Sequence, residues 1–502
     1  MARQYFLALL SGALVLMAFP PIALSWMAWV GILPFLWALQ KAPNLRHSIG
    51  LGFSFGLVFM GGFHAWIWEL SQFGPIWGII GLWGLYSLYL ASFYALFGAL
   101  AYFLRHKRDS LYAVGMSSAF VLTEALRQFG PIGSPGGILG YSQTESSFAP
   151  LASWTGVSGV SFIVILLSTV IASITYKRIL TAPKLAIGLL LSLLIGSYLI
   201  SPPVAGKQVI AGSIQGIHSQ QSKLTPSNSQ DIQDFYLRET KKAIQKGATL
   251  IVWPETITPQ LNTHNPRFMS QLHALLPPNT VLLWGTPLWE KEKFYNSIVL
   301  TTQHTGIKER YQKHRLVPFG EYWPLKSWFQ KLGLENLIPG AEYSAGPPPK
   351  IIFSNYFSGA ICLESIYGAH FRSQVQAGSQ GFVISGNHGW YGRSSAAAKH
   401  LDILRFRAME YQRSIIFATT NGISALILPN GQYKARAEAH QEAVLIGAIP
   451  LQTTLTPYAK YSEWFLGILL LTYCGIYTGC KIQSQMRFLL RPPRETEIAG
   501  LQ

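Results

Sequence analysis

Cys362 lies in the stretch Ser358-Gly-Ala-Ile-Cys-Leu-Glu-Ser-Ile-Tyr-Gly368, an apolar run that ends on a thiol, with the Glu364 carboxylate two residues further on. Two upstream segments carry complementary groups. Val252-Trp-Pro-Glu-Thr256 supplies Glu255, and Tyr311-Gln-Lys-His-Arg-Leu-Val-Pro-Phe-Gly-Glu321 supplies Lys313 and Glu321. Each lies near the end of a strand-like run. Glu255, Lys313 and Cys362 therefore offer a base, a cation and a nucleophile, a set suited to acyl transfer through a thioester. Taken singly, each has a plainer reading. A lone Cys is commonly buried and inert, Glu255 could cap a turn, and Lys313 could be a solvated hairpin charge. Their joint order favours catalysis. Glu321 is read as orienting the lysine or the thiol, or as a loop ion pair. Glu364 is read in the same way, or as bonding a backbone amide near Cys362. No His/Cys/Asp cluster has metal-ligand spacing, so no metal is expected.

The remaining chain indicates where an acyl group would come from. Of 502 residues, 49% are hydrophobic and 12% charged, which fits neither a disordered chain nor a purely soluble enzyme. The apolar residues concentrate in the first two hundred positions and again near the C-terminus. Runs long enough to cross a bilayer as helices, roughly 17–25 residues, are read near 4–21, 23–40, 49–70, 76–103, 111–128, 154–176, 184–200 and 463–482. The first is expected to be a retained anchor rather than a cleaved signal, because a second apolar run begins almost at once.

Short-loop charges set an expected orientation. Arg3, Lys41 and Arg46, then Arg105, Lys107 and Arg108, then Lys177, Arg178 and Lys184, and finally Lys481, Arg487, Arg491 and Arg494 all fall on one side. The alternate loops carry almost none, apart from Arg127. Both termini are thus expected in the cytoplasm, and the segment between the seventh and eighth spans outside. Much of the +17 net charge is then topological. No nucleic-acid-binding signature accompanies it, although a basic patch could touch anionic lipid. Of three cysteines, Cys474 and Cys480 lie in the last span. Cys362 alone is external and is expected to be a free thiol.

Residues 205–457 read as an α/β unit. Strands are expected at 208–215, 248–253, 280–285, 296–301, 307–311, 351–353, 357–362, 381–385, 415–419, 425–428 and 444–449. Helices are expected at 231–246, capped by Asn228 or Ser229, and at 399–413. Near-continuous apolar strands alternating with helices call for sheets covered on at least one face. The organisation expected is a bundle at 1–204, a catalytic unit at 205–457, and a final span and tail at 458–502.

The three motifs in this order resemble the nitrilase, or carbon–nitrogen hydrolase, superfamily. The spans around them are similar to one branch of it, the apolipoprotein N-acyltransferases of bacterial inner membranes. Matching stretches are Trp253-Pro-Glu255, Lys313 to Glu321, Ala360-Ile-Cys-Leu-Glu364, Arg405-x-Arg407-Ala-Met-Glu410, Thr420-Asn-Gly-Ile423, Thr123-Glu-Ala-Leu-Arg127 and Gly133–Gly140. The fold this implies is an α-helical membrane bundle of about eight spans plus an external αββα sandwich. The implied reaction moves an acyl group from a phospholipid to Cys362. It then passes to the N-terminal amine of a diacylglyceryl-modified apolipoprotein. Glu255 would be the base, Lys313 would stabilise the oxyanion, and no cofactor would be needed. Two positions depart from the family pattern. Leu363 stands where an aromatic is common, and Asn387-His-Gly-Trp390 stands where Asn-Asp-x-Trp is common.

Other positions carry weaker expectations. Asn387 and Trp390 are read as substrate or lipid contacts. So is Trp323, which with Trp328, Phe329 and Leu332 forms an aromatic and basic loop suited to lipid headgroups, a possible lid. Glu124 and Arg127, three residues apart, are either a structural pair closing a helix or a functional pair at membrane depth. His64 is read as a satisfied polar side chain. Arg405, Arg407 and Glu410 are read by default as an intrahelical ion pair or packing group. A monomer is expected, with membrane lipid, phospholipid donor and apolipoprotein acceptor as partners and no nucleic acid. Competing readings are a membrane-tethered amidase that uses water, and a transporter with an external sensing domain. The largely apolar spans count against the transporter.

Overall fold

The computed structural model of the protein describes residues 1–105, 109–174, 206–322, 324, 326, 331, 342–349, 353 and 356–489, with backbone alone for 109–110 and 480–489. Residues 206–450 are built on two sheets. The first has strands β1 (Gln208–Gln215), β2 (Leu250–Val252), β3 (Val281–Glu290), β4 (Lys293–Thr302), β5 (Thr305–Gln312) and, from later in the chain, β11 (Ala443–Pro450). Their order is β11-β1-β2-β3-β4-β5. The second contains β6 (Phe357–Ile361), β7 (Gly381–Asn387), β8 (Ser414–Thr420), β9 (Ala425–Ile427) and β10 (Tyr433–Arg436), ordered β10-β9-β8-β7-β6.

The apolar strands are buried on both faces, and the period-2 alternation decides which side chain goes where. Leu250 and Val252, Ile298 and Leu300, Ile361, and Ile416 and Ala418 share the core between the sheets. Their neighbours Ile251 and Val299 turn to the outer face, under helices Ser229–Gln245 and Pro266–Leu275. Ala360, Ile415 and Phe417 turn to the opposite outer face, under helices Ala369–Gln376 and Ala396–Tyr411. The result is the expected αββα layering.

The expected strands are present with shifted ends, apart from 351–353. Residues 351 and 352 lie outside the described residues, while Phe353 is buried in the inter-sheet core. Strand β10 and helices Pro266–Leu275 and Ala369–Gln376 were not expected, being short or weakly patterned. Asn228 precedes helix Ser229–Gln245 without a side-chain cap hydrogen bond.

The membrane half departs more from expectation. Helices Ile76–Leu104 and Val157–Ile174 are each long and apolar enough to cross a membrane. The expected span at 49–70 is helix Leu45–Phe63 followed, across a 42° bend, by the 3-10 segment Ala65–Gln72, and this pair is a third candidate. Helix Ala2–Leu16 is shorter, and the apolar stretches Leu111–Leu126 and Trp464–Gly479 are parts of helices Asp109–Leu126 and Trp464–Leu489. The count of about eight is therefore not reached among the described residues, and the run at 184–200 lies outside them. Local chemistry explains part of the shortfall. Pro20-Pro21 separates the first two runs, and the second is split at Gly31–Ile32 into Met27–Val30 and Leu33–Gln40, with Pro34 in the opening turn of the latter helix.

Helix Ala396–Tyr411 joins the two halves. Lys399 Nζ donates to Phe63 O at 2.8 Å, taking a carbonyl at the end of helix Leu45–Phe63. Arg405 pairs with Glu145 and donates to Gly431 O at 2.7 Å. Arg407 and Glu410 do form the expected intrahelical pair, at 2.7 Å. They also reach across the interface: Arg407 donates to Tyr141 OH at 2.9 Å, and Glu410 accepts from Val157 N at 3.0 Å. Both charges are buried, so each depends on the other for its solvation. Arg407→Leu, which strands the Glu410 carboxylate, should therefore cost about 3–5 kcal/mol. Thermal unfolding of the purified protein in detergent measures this, and adding Glu410→Leu should recover much of the loss.

Candidate active site

Four chain segments converge at the carboxyl ends of β2 and β5 in one mixed sheet and of β6 and β7 in the other, where loops can gather polar groups. After β2, Trp253 is buried and its indole donates to Thr240 Oγ1 at 2.9 Å. The next turn is stitched to the other sheet. Ser385 Oγ donates to Trp253 O at 2.9 Å, and Glu255 N donates to Gly386 O at 3.3 Å. Gly285 on β3 makes this approach possible, since a Cβ there would lie 2.4 Å from Pro254 O. Glu255 is thereby held by backbone on both sides of the sandwich.

Lys313 follows β5, anchored by Lys313 N donating to Asn296 O at 2.8 Å. Its side chain is 1% exposed. Nζ lies 2.9 Å from Glu321 Oε1 and 3.4 Å from Glu255 Oε1. Asn296 Nδ2 donates to the same two oxygens, at 2.7 Å for Glu255 and 2.8 Å for Glu321. Glu321 Oε2 accepts from Val317 N at 2.8 Å. Two carboxylates thus converge on one ammonium and one amide.

Cys362 follows β6 and is a free, buried thiol. Its φ is +49°, a left-handed conformation that costs a non-glycine residue roughly 1–2 kcal/mol. The sulfur lies 3.8 Å from Tyr391 OH. Burial pushes the thiol up to about 12, and the Glu255 charge adds to the rise against the pull of Lys313. Burial also raises the Glu255 carboxyl; Lys313 opposes that rise and Glu321 reinforces it. For Lys313, burial favours the neutral amine, but Glu321 and Glu255 outweigh it and keep the ammonium charged. The resting site therefore holds a neutral thiol beside a carboxylate with raised proton affinity and a fixed cation.

Glu364 is buried and forms no ion pair with Lys313 among the described residues; it serves the backbone. It accepts from His314 N at 2.7 Å, Arg315 N at 2.8 Å, Ile361 N at 2.9 Å and Tyr311 OH at 2.8 Å. One carboxylate therefore ties the lysine loop to the residue preceding the thiol. Asn387 accepts from Gly389 N at 3.1 Å and donates to Gln220 Oε1 at 3.0 Å, while its backbone amide faces the Cys362 sulfur. Trp390 packs against Phe73 with ring centroids 4.8 Å apart, and Tyr391 against Trp66 at 4.9 Å. Both contacts bring the site's rim against the 3-10 arm of the bundle. Trp323, Trp328, Phe329 and Leu332 lie outside the described residues.

Glu124 and Arg127 are not brought together as a pair; among the described residues no ion pair joins them. Both hold the Gly-rich loop instead. Glu124 Oε1 accepts from Leu139 N at 2.7 Å, and Arg127 Nη1 donates to Ser134 O at 3.0 Å and Gly136 O at 2.5 Å. That loop exposes carbonyls and amides which its glycines cannot cover, so buried charges satisfy them. His64 is a satisfied side chain, bonded to Met60 O at 3.0 Å and Ser134 Oγ at 3.3 Å.

Three residues of the site escaped the sequence reading. Asn296 had one usable signal, a polar residue opening an apolar strand run. Tyr391 had none. Lys223 sits in a polar stretch, yet it is buried and its Nζ donates to Glu255 O at 3.3 Å.

Residues 211–456 match the carbon–nitrogen hydrolase family, the class of protein that the two-sheet sandwich and its Glu–Lys–Cys cluster define. Residues 11–170 match a second family, described as the apolipoprotein N-acyltransferase N-terminal domain. An apolipoprotein N-acyltransferase from Geobacter metallireducens is 31% identical over 489 residues, covering 92% of each chain. Another from Pasteurella multocida is 29% identical, covering 94% of this chain and 95% of its own. The chain belongs to the apolipoprotein N-acyltransferase family. Among solved structures, an amidase from Nesterenkonia sp. aligns with 52% of this chain and 97% of its own at 17% identity and a TM-score of 0.39, a likeness too distant to bear on the chemistry.

Two measurements test the geometry. Alkylation of Cys362 by iodoacetamide should rise with pH through the raised Glu255 pKa, because only the ionised carboxylate can take the thiol proton. Glu255→Gln should remove that limb and leave only the rise toward the thiol's own high pKa. Glu364→Gln should lower alkylation by about tenfold or more, since an amide NH2 would face N–H donors that now meet a carboxylate oxygen.

Proposed function

We propose that the protein is an acyltransferase that N-acylates lipoproteins. A fatty acyl group passes from a phospholipid to Cys362 as a thioester, and then to the N-terminal amine of a diacylglyceryl-modified apolipoprotein. Family membership across 92% of the chain carries this reading. The buried Glu255–Lys313–Cys362 cluster supports the route.

In the first half-reaction, Glu255 takes the Cys362 proton as the sulfur attacks the ester carbonyl. A C–S bond forms, and the carbonyl oxygen gains negative charge that the Lys313 ammonium stabilises. Collapse breaks the C–O bond, and Glu255 returns the proton to the departing lysophospholipid alkoxide. In the second half, the amine attacks the thioester carbonyl. A C–N bond forms, the C–S bond breaks, and the proton lost by the amine returns through Glu255 to the sulfur. The thioester already carries an activated acyl group, so the exchange needs no soluble cofactor, and the amide product is the more stable. Glu321 keeps Lys313 paired while Glu255 is protonated. Hydrolysis with water as acceptor is the competing outcome. The packing of Trp390 and Tyr391 on the bundle's arm favours a substrate arriving from the membrane side.

We place the protein as a multi-pass monomer in a bacterial inner membrane, with residues 205–457 periplasmic and both termini cytoplasmic. The one-sided distribution of Lys and Arg in short loops supports this orientation. Residues 1–204 would form the bundle, and 458–502 the last span and tail.

Incubation with phospholipid should add the mass of one fatty acyl group to the intact protein, and Cys362→Ala should show no such gain. A gain that persists in Cys362→Ala, or none in the parent protein, refutes the thioester. Lys313→Met should slow the gain by about 10²–10³-fold, the usual loss for an oxyanion donor.

A further inference from the structure

From the Cys362 carbonyl runs a chain of hydrogen bonds that the reaction above does not use. Ser365 Oγ lies 2.6 Å from Cys362 O and 2.7 Å from His400 Nε2. His400 Nδ1 lies 2.9 Å from His388 Nε2. All three side chains are buried. His388 Nδ1 has no partner among the described residues.

Donor counting fixes every proton in this chain. A carbonyl oxygen only accepts, so the single Ser365 hydroxyl proton goes to Cys362 O. The hydroxyl oxygen must then accept from His400 Nε2–H. Burial lowers both histidines, His400 to about 4 and His388 well below its ordinary value, which keeps the rings neutral. A neutral His400 protonated at Nε2 has a bare Nδ1, so His388 must donate from Nε2–H. His388 Nδ1 is then a bare acceptor, consistent with its missing partner. Gly422 leaves room for that end of the chain, since a Cβ there would lie 2.1 Å from His388 Nδ1.

We propose that Ser365, His400 and His388 form a neutral positioning strut that pins the Cys362 carbonyl and thereby sets the direction of the Leu363 N–H toward the reacting acyl carbonyl. The physical link is the planar trans peptide: with Cys362 O fixed, the N–H of the same peptide must point the opposite way. The strut also holds the strained backbone at Cys362, whose φ of +49° would otherwise relax. His388 terminates the chain because it can donate from Nε2. A carboxylate there could only accept, which would reverse the His400 tautomer, leave Ser365 to donate to His400, and release the Cys362 carbonyl. The inference rests on the thioester route for its effect on acyl transfer, though not for its effect on the thiol itself.

The test uses the full-length protein in detergent with phospholipid and follows acyl gain by intact mass. Ser365→Ala removes only a hydroxyl, and His388→Leu only the ring and its donor. Each should lower the maximal rate of acyl gain by about tenfold, the scale of one lost buried hydrogen bond, with the half-saturating phospholipid concentration unchanged. His388→Gln, which restores an N–H near the Nε2 position, should recover most of the rate lost in His388→Leu. A parental maximal rate in Ser365→Ala, or His388→Gln as slow as His388→Leu at equal thermal stability, overturns the strut. If the parent protein itself gains no acyl group, the thioester route fails. The strut is then judged by iodoacetamide alkylation of Cys362, where the same order of variants supports it and equal rates overturn it.

Discussion

A lysine ammonium with almost no access to water needs compensating charge within hydrogen-bond distance, and the catalytic half is organised around meeting that need. Lys313 is met by Glu321 at 2.9 Å and Glu255 at 3.4 Å, with Asn296 bridging the two carboxylates. The three charged groups come from chain segments up to 66 residues apart in sequence, at positions 255, 313 and 321 of a loop system anchored on β2, β4 and β5. In the proposed reaction the arrangement separates two duties. Glu321, held by Val317 N, would stay as the counter-ion and let Glu255 exchange a proton without leaving the lysine unpaired.

The thiol is held just as firmly, but through backbone. Cys362 occupies a left-handed conformation at the end of β6. Glu364 grips the amide of Ile361 on one side, and Ser365 grips the carbonyl of Cys362 on the other. Glu364 also grips two amides of the lysine loop, so the Lys313 and Cys362 segments share one brace. In the proposed reaction, a site assembled this way would begin with its dipoles already oriented, which is where electrostatic stabilisation is most effective.

The sandwich is not merely tethered to the apolar helices. Buried charges on helix Ala396–Tyr411 bond backbone and side-chain groups of the bundle, and Tyr367 OH donates to Gly133 O at 2.7 Å from the catalytic side. Arg127 and Glu124, which organise the Gly-rich loop from below, belong to the same seam. In the proposed reaction this seam holds the thiol where an acyl chain from the bilayer can reach it.

Local chemistry made part of this legible in the linear chain. The apolar strand runs, the acid, amine and thiol at their ends, and the unpaired state of Cys362 follow from residue type and period, because burial of alternating side chains is a local pattern. The strands expected at 208–215, 381–385 and 415–419 appear with ends moved by no more than two residues, for that reason. What depends on meeting across the fold was not legible. Asn296, Tyr391, Lys223 and the partners of Glu124, Arg127 and Glu364 are decided by where distant backbone amides and carbonyls fall, and no sequence spacing encodes that. The 42° bend after Phe63 is a further case: the apolar run gives no sign of it, and the Phe63 carbonyl there meets Lys399, more than three hundred residues away.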